Sequence, residues 1–222
     1  MNEPDTRPIR SRDARIARDT ILNAAESVFA QKGFHGARVD AIVKASGYNN
    51  SLLFQYFKDK LGLYTAVLTR TDKELNTLLS NVTAPWLSDG IDIRDTQVLG
   101  DFLKDLIRAT FDYLIEHPMF MRILNWEMAD GWETYMQISS QFSAVESEHI
   151  KILFHSAYKA GLLRSDFYPE IQLTLILHLC QSFCASLPLY QMYVREEVTS
   201  DSAITRAREY IVSLILDGMI KT

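Results

Sequence analysis

Cysteine is nearly missing: 222 residues contain only Cys180 and Cys184, one helical turn apart. That spacing suits neither a C-x-x-C metal pair nor a disulfide framework, and it fits a reduced cytoplasm. Proline is sparse, six in all, and falls at breaks: two in the first dozen residues, Pro85 in a loop, and Pro118, Pro169 and Pro188 at helix ends. No segment reads as a strand, so an all-α fold is predicted. No N-terminal apolar run precedes a small-residue cleavage site. The longest apolar segment, Ile171 to Leu187, is broken by Gln172, Thr174, His178, Gln181 and Ser182. A secreted or membrane-spanning protein is therefore not expected. His-Glu-x-x-His, G-x-G-x-x-G and a phosphate-binding loop are all absent. Glu146-x-x-His149 has the spacing of half a carboxylate di-metal site, but no second copy exists, and a solvated helix face explains it. No metal or cofactor is expected.

What is present is an ordinary globular composition, 47% apolar, ample for a buried core. The net charge of −5 is unevenly spread. Residues 1–60 hold 10 Lys+Arg against 7 Asp+Glu, or +3, and residues 61–222 hold 13 against 21, or −8. A basic footprint confined to one end predicts two jobs in one chain, with residues 1–60 touching a polyanion and 61–222 doing something else.

The stretch from Arg38 to Leu63, RVDAIVKASGYNNSLLFQYFKDKLGL, carries the sharpest signal. Val39, Ile42 and Val43 share one face of a short helix that Gly47 can close in the left-handed conformation. Asn49 is a good N-cap for a second helix beginning at Asn50. In that helix Leu53 and Phe57 point inward, while Ser51 and Gln55 lie opposite with Leu52 and Phe54 beside them. Barely two turns long, it cannot stand alone in water and must be docked and displayed. Two helices joined by a short glycine-containing turn form a helix-turn-helix. Asp59 then caps a longer helix from Lys60.

Here SGYNNSLLFQYFKDKLGL resembles the signature of the TetR family of bacterial repressors, approximately A-G-V-S-x-G-x-L-Y-x-Y-F-x-S-K-x-x-L. Gly47, Asn49, Leu53, Phe54, Tyr56, Phe57, Asp59, Lys60 and Leu63 fall on its positions, some as near-equivalents. The resemblance implies a three-helix DNA-binding head followed by a helical ligand-binding and dimerisation domain. Three residues depart from it. Phe54 lacks the hydroxyl that would bond a phosphate, Ala37-Arg38 replace capping threonines, and Ser51 replaces a frequent glycine.

Along the chain, Arg7, Arg10, Arg12, Arg15 and Arg18 form a basic arm, either a DNA contact or a tail neutralised by Glu3, Asp5, Asp13 and Asp19. The first dozen residues are expected to be disordered in the free protein. A helix follows over about Asp13–Lys32, stopped by Gly33, then the two motif helices, then one from Lys60 to about Asn81. Thr83–Thr96 reads as a loop, and Val98–Glu116 as a helix ended by His117-Pro118. MFMRILNWEMAD comes next, and past Gly131 a single long helix is predicted from Trp132 to about Lys159. Pro169 opens a helix through Leu187 that is apolar nearly all round, and Asp201–Met219 forms the last, for about nine helices. Helices greasy on all sides must be covered, so the last two predict a four-helix interface in a homodimer.

For DNA, Asn50 and Gln55 carry the amides that read adenine, Leu52 and Phe54 can touch thymine methyls, and Arg38, Tyr56 and Lys60 suit phosphate, with Asn49 and Ser51 beside them. Phe111, Trp126, Trp132, Tyr135 and Met136 are candidate linings for an unknown small-molecule effector, with core packing as their other reading. His178 suits a buried hydrogen bond or a ligand contact, and the two cysteines suit core packing or a thiol sensor. The expected function is a ligand-responsive regulator binding a palindromic operator. The rivals are an all-helical enzyme or metal protein using the head for docking, and an architectural DNA-binding protein with no effector.

Overall fold

The computed structural model describes residues 7–88, 90–142, 145–166 and 168–221. They form eleven α-helices: α1 (Arg7–Gly36), α2 (Val39–Ser46), α3 (Asn50–Phe57), α4 (Lys60–Thr83), α5 (Thr96–Glu116), α6 (Pro118–Ala129), α7 (Glu133–Ile138), α8 (Val145–Lys159), α9 (Pro169–Ala185), α10 (Leu187–Tyr190) and α11 (Asp201–Met219). The fold is all-α, and the described residues form no sheet, only an isolated bridge between Leu163 and Ile220. No helix among them is long and apolar enough to cross a membrane. Residues 1–6, and the side chains of Arg7, Arg10 and Glu146, lie outside the described residues, so the roles read for those three side chains do too, but the disorder expected of the first dozen residues does not hold from Arg7 on, where α1 has already begun.

The chain divides into two compact units, one made of the chain up to Asp72 together with Arg122–Phe142, the other of Lys73–Met121 and the chain after Phe142. In the first, Ile21, Ala25 and Phe29 of α1, Ile42 of α2, Leu53 and Phe57 of α3, and Leu63, Tyr64 and Val67 of α4 close one apolar core, joined by Ile123 and Ile138. These residues recur at helical spacing, so each helix turns a single stripe inward. The caps were legible one by one. Gly47 takes φ 74 at the end of α2. Asn49 Oδ1 accepts from Leu52 N at 2.9 Å, and Asp59 Oδ1 from Gly62 N at 2.7 Å. Arg38 heads α2 without a side-chain cap, as the missing threonine foretold.

In the second unit α5 is the central helix, packed by α9 and α11, with α8 against α9. Leu99, Phe102, Leu103, Ile107 and Phe111 of α5 are fully buried there. α5 and α11 are also tied by Arg108 to Glu209 at 2.6 Å and Arg208 to Asp112 at 2.7 Å. Both pairs are partly exposed and add little to stability individually.

Among the described residues eleven helices stand where about nine were expected: α1 begins at Arg7 and not near Asp13, though Gly33 does break its helical backbone, Pro118–Ala129 is a helix of its own, and Ala84–Leu87 in the expected loop is a 3-10 turn. The single helix expected over Trp132–Lys159 is two helices, α7 and α8, separated by a 3-10 turn at Ser139–Gln141. Ser139 and Ser140 begin the break, and the Ser139 hydroxyl donates to Met136 O at 3.1 Å, the local competition that makes serine a poor helix interior. The penultimate helix stops at Ala185, and Pro188 lies inside the short α10 instead of beyond a helix end. A proline at the second position of a helix loses no bond, whereas the same ring inside α9 would clash with the preceding turn.

Cys180 and Cys184 face the core of the second unit. Burial pushes both thiols up to about 12. A sensor would need the opposite shift, so these are small apolar core groups. A thiol held protonated favours the fold below its unfolded pKa of about 8.5, and that advantage is lost as pH rises towards the folded value. Neither cysteine should therefore react with an aromatic disulfide reagent at pH 8 until denaturant is added, as absorbance of the released thiolate would report.

Candidate nucleic-acid interface

α3 presents two faces. Leu53 and Phe57 are buried, and Leu52 and Tyr56 are half-buried against the same core. Asn50, Ser51, Phe54 and Gln55 are exposed, Phe54 at 43%. The outward set thus joins two amide side chains, a hydroxyl and one aromatic ring on an eight-residue helix. No core group lies over them to explain their placement. The Asn49 cap satisfies an amide at the N-terminal end of this helix, so its loss should cost about 1 kcal/mol. Asn49→Ala is accordingly expected to lower the thermal midpoint by roughly 2–4 °C, measurable by circular dichroism.

α3 is held at a fixed angle by its surroundings. After it the chain turns on Lys58, with φ 67, and Asp59 N–H donates to Phe57 O at 2.8 Å. Arg18 of α1 lies over the Phe57 ring at 5.3 Å. Lys60, placed among the phosphate contacts by its sequence, has a structural task as well. Its ammonium donates to Phe34 O at 2.9 Å and Ala37 O at 3.2 Å and sits 4.5 Å from the Phe34 ring centre. Two of its three N–H bonds thus satisfy one carbonyl at the end of α1 and one just past it, leaving one for an outside acceptor. Arg38, by contrast, is exposed beside the uncapped amides at the start of α2. Such amides with a guanidinium next to them favour an anion.

Sequence reasoning missed the brace behind the head. Glu127, only 3% exposed, accepts from the Tyr64 hydroxyl and, at 2.9 Å, from Tyr135 N. Burial, with the carboxylate beside it, pushes the Tyr64 hydroxyl well above its ordinary value, so it remains a donor. Trp126 packs its ring on Gly33 and donates from Nε1 to Ala30 O at 3.2 Å. No local signal could have found it: Glu127 follows Arg122 and Asn125 in a run of mixed polarity, where an acid on a solvated face would look the same.

The proposed effector linings fall into different units. Phe111 is fully buried in the second. Trp126, Trp132, Tyr135 and Met136 belong to the first, where Tyr135 stacks on Phe142 at 5.3 Å and Met136 is 71% exposed. Among the described residues no cluster of three or more His, Cys, Asp or Glu could hold a metal ion.

The model of bacterial regulatory proteins of the tetR family matches residues 21–67. A second model, of the tetracyclin repressor-like C-terminal domain, matches residues 101–215, more than half the chain. The chain belongs to the TetR family. It is a helix-turn-helix, DNA-binding transcriptional regulator, and the TetR family is not a family of enzymes. The HTH-type transcriptional repressor NicS of Pseudomonas putida is 24% identical over 215 residues, 95% of this chain and 96% of that one. Among solved structures, a TetR regulator from Marinobacter aquaeolei has a TM-score of 0.71 at 18% identity, covering 96% of this chain and 100% of its own. FadR from Bacillus subtilis, in complex with stearoyl-CoA, has a TM-score of 0.64 at 13% identity, covering 90% and 98%. At those identities the likeness is one of fold. Within the TetR head, the nine positions read from sequence as DNA contacts include six exposed ones, Arg38, Asn49, Asn50, Ser51, Phe54 and Gln55, and three half-buried, Leu52, Tyr56 and Lys60.

Proposed function

We propose that this regulator is a homodimeric, ligand-responsive repressor acting in the cytoplasm, released from a roughly palindromic operator by a small molecule. The observation that carries the reading is the outward face of α3, where Asn50 and Gln55 stand exposed on a helix whose other face is fixed in the core. Each is an amide that can pair with the N6 and N7 edge of adenine in a major groove. Phe54 supplies an apolar surface for a thymine methyl, and Leu52 lies lower on the same helix. Arg38, Tyr56 and the remaining N–H of Lys60 would hold phosphates, setting position and affinity without reading sequence. Asn49 and Ser51 lie where the backbone passes closest.

In this division of labour residues 1–60 bind DNA and 61–222 bind effector and partner. The apolar rows left on α9 and α11, Ile171, Leu175 and Leu179 with Tyr210 and Leu214, suit a two-fold interface with a second copy. Two heads related by that axis require half-sites about one helical turn apart or slightly more. The effector would be held by the aromatic-rich helices of the second unit, with Phe111 as the first position to vary. The stearoyl-CoA in the Bacillus subtilis structure makes an amphiphile with a long apolar chain the first class to try. Such a ligand shifts the DNA-binding equilibrium only by its differential affinity for the two arrangements, typically about 1–3 kcal/mol.

A mobility-shift titration of the purified protein against DNA flanking its own gene, with the mass of each complex measured, tests this. Salt-sensitive, sequence-dependent binding by an even number of copies, weakened by an effector, is the expected result. Equal affinity for random DNA, or one copy per site, would overturn it.

A further inference from the structure

Between α9 and α11 the chain forms a turn that is firmly built yet directs its apolar side chains outward. Leu189, Met192, Tyr193 and Val194 are exposed, Met192 at 79% and Tyr193 at 75%. Backbone bonds from Met192 N to Leu189 O and from Tyr193 N to Tyr190 O begin this turn, and the Gln191 side chain bridges the rest of it. The Gln191 amide nitrogen donates to Val194 O at 3.4 Å and Glu196 O at 3.0 Å, and its oxygen accepts from Val198 N at 3.1 Å. Arg206 of α11 anchors Glu196 at 2.6 Å. At the base, Tyr190 packs on Phe183, with 5.2 Å between ring centres, and Phe183 on the fully buried Phe111 at 5.7 Å. The chain therefore fixes an apolar protrusion in place, which in water is unfavourable unless something covers it.

The position of the turn indicates what covers it. On α9 the exposed row Ile171, Leu175, Leu179 continues through Ser182 and Ala185 to Leu189 in steps of three or four residues. The protrusion is thus the end of the same line that forms the dimer face. Area points the same way. The exposed apolar side chains of α9 and α11 offer on the order of 500 Å² per protomer, against about 1,000 Å² or more per partner in an obligate homodimer. Leu189, Met192, Tyr193 and Val194 supply about as much again.

We propose that Leu189–Val194 is a second part of the subunit interface, a knob that each protomer seats against the α9 row of a second copy of this chain. The inference rests on the dimer reading given above. Because two-fold contacts are reciprocal, each dimer would gain two knobs, and because the turn is already ordered, little side-chain freedom is lost when they dock.

Sedimentation velocity of the full chain over a concentration series, wild type against Met192→Ser/Tyr193→Ser, is the test. The double variant should dimerise at least tenfold more weakly with an unchanged far-ultraviolet spectrum. In wild-type protein Met192 should resist peroxide oxidation above the dimer Kd and lose that protection below it. An unchanged Kd, or Met192 oxidised equally at both concentrations, overturns the knob while leaving the dimer standing. A wild-type protein monomeric at every concentration overturns the dimer reading and the knob with it.

Discussion

Glu127→Ala is expected to lower the thermal midpoint by roughly 10 °C, the larger of two effects traced to the brace behind the DNA-binding head. The substitution leaves the Tyr64 hydroxyl and Tyr135 N–H without their acceptor at a site that is 3% exposed. Each buried orphan costs about 1–3 kcal/mol, and the cavity left by the side chain adds to it. The sum is about 3–5 kcal/mol, or some 2–4 °C per kcal/mol in a chain of this size. Glu127→Gln keeps the shape and one acceptor oxygen, so it should lose about half as much. Tyr64→Phe removes the donor instead, and a double-mutant cycle between the two positions should show a coupling of roughly 0.5–3 kcal/mol. A Glu127→Ala protein melting within a degree or so of wild type would mean that the pair bears no load.

Gly33→Ala is the second. Gly33 has φ 65 and ψ 175, a region that essentially only glycine occupies. A Cβ there would lie 3.0 Å from Trp126 Cδ2 and 3.1 Å from Cγ and Cε3. Backbone strain of about 1–3 kcal/mol and a displaced indole, with its bond to Ala30 O, together predict about 3 kcal/mol or more. Gly47→Ala is the control: φ is 74, but nothing lies within 4 Å of the added carbon, so only the backbone cost of about 1–2 kcal/mol applies. Chemical denaturation of both variants, and of Gly33→Ala with Trp126→Ala, separates the two contributions. Equal destabilisation by Gly33→Ala and Gly47→Ala would remove the indole from the account.

The legible part of this molecule is the local part. The Gly47 turn, the Asn49 and Asp59 caps and the inward pair Leu53 and Phe57 are each specified within four residues of themselves, which is why Arg38–Leu63 could be read almost residue by residue. The brace could not. Tyr64 and Glu127 are 63 positions apart, and nothing local distinguishes an acid that will accept two buried hydrogen bonds from one on a solvated face. The split of Trp132–Lys159 was missed because its apolar spacing continues across Ser139, whose hydroxyl competes for the backbone. Lys60 shows the same limit from the other side. Its motif position pointed outward to phosphate, and only the fold shows its ammonium turned back onto Phe34 O and Ala37 O.

The proposed repressor works only if the exposed face of α3 meets base edges in two symmetry-related copies. Selection of bound sites from random double-stranded DNA, run in parallel for wild type and Gln55→Ala, tests that most directly. Wild type should enrich an inverted repeat, and Gln55→Ala should enrich the same repeat with one position per half-site relaxed, a discrimination loss of about 1–3 kcal/mol there. Sites without inverted symmetry, or identical preferences in the two proteins, would contradict the account.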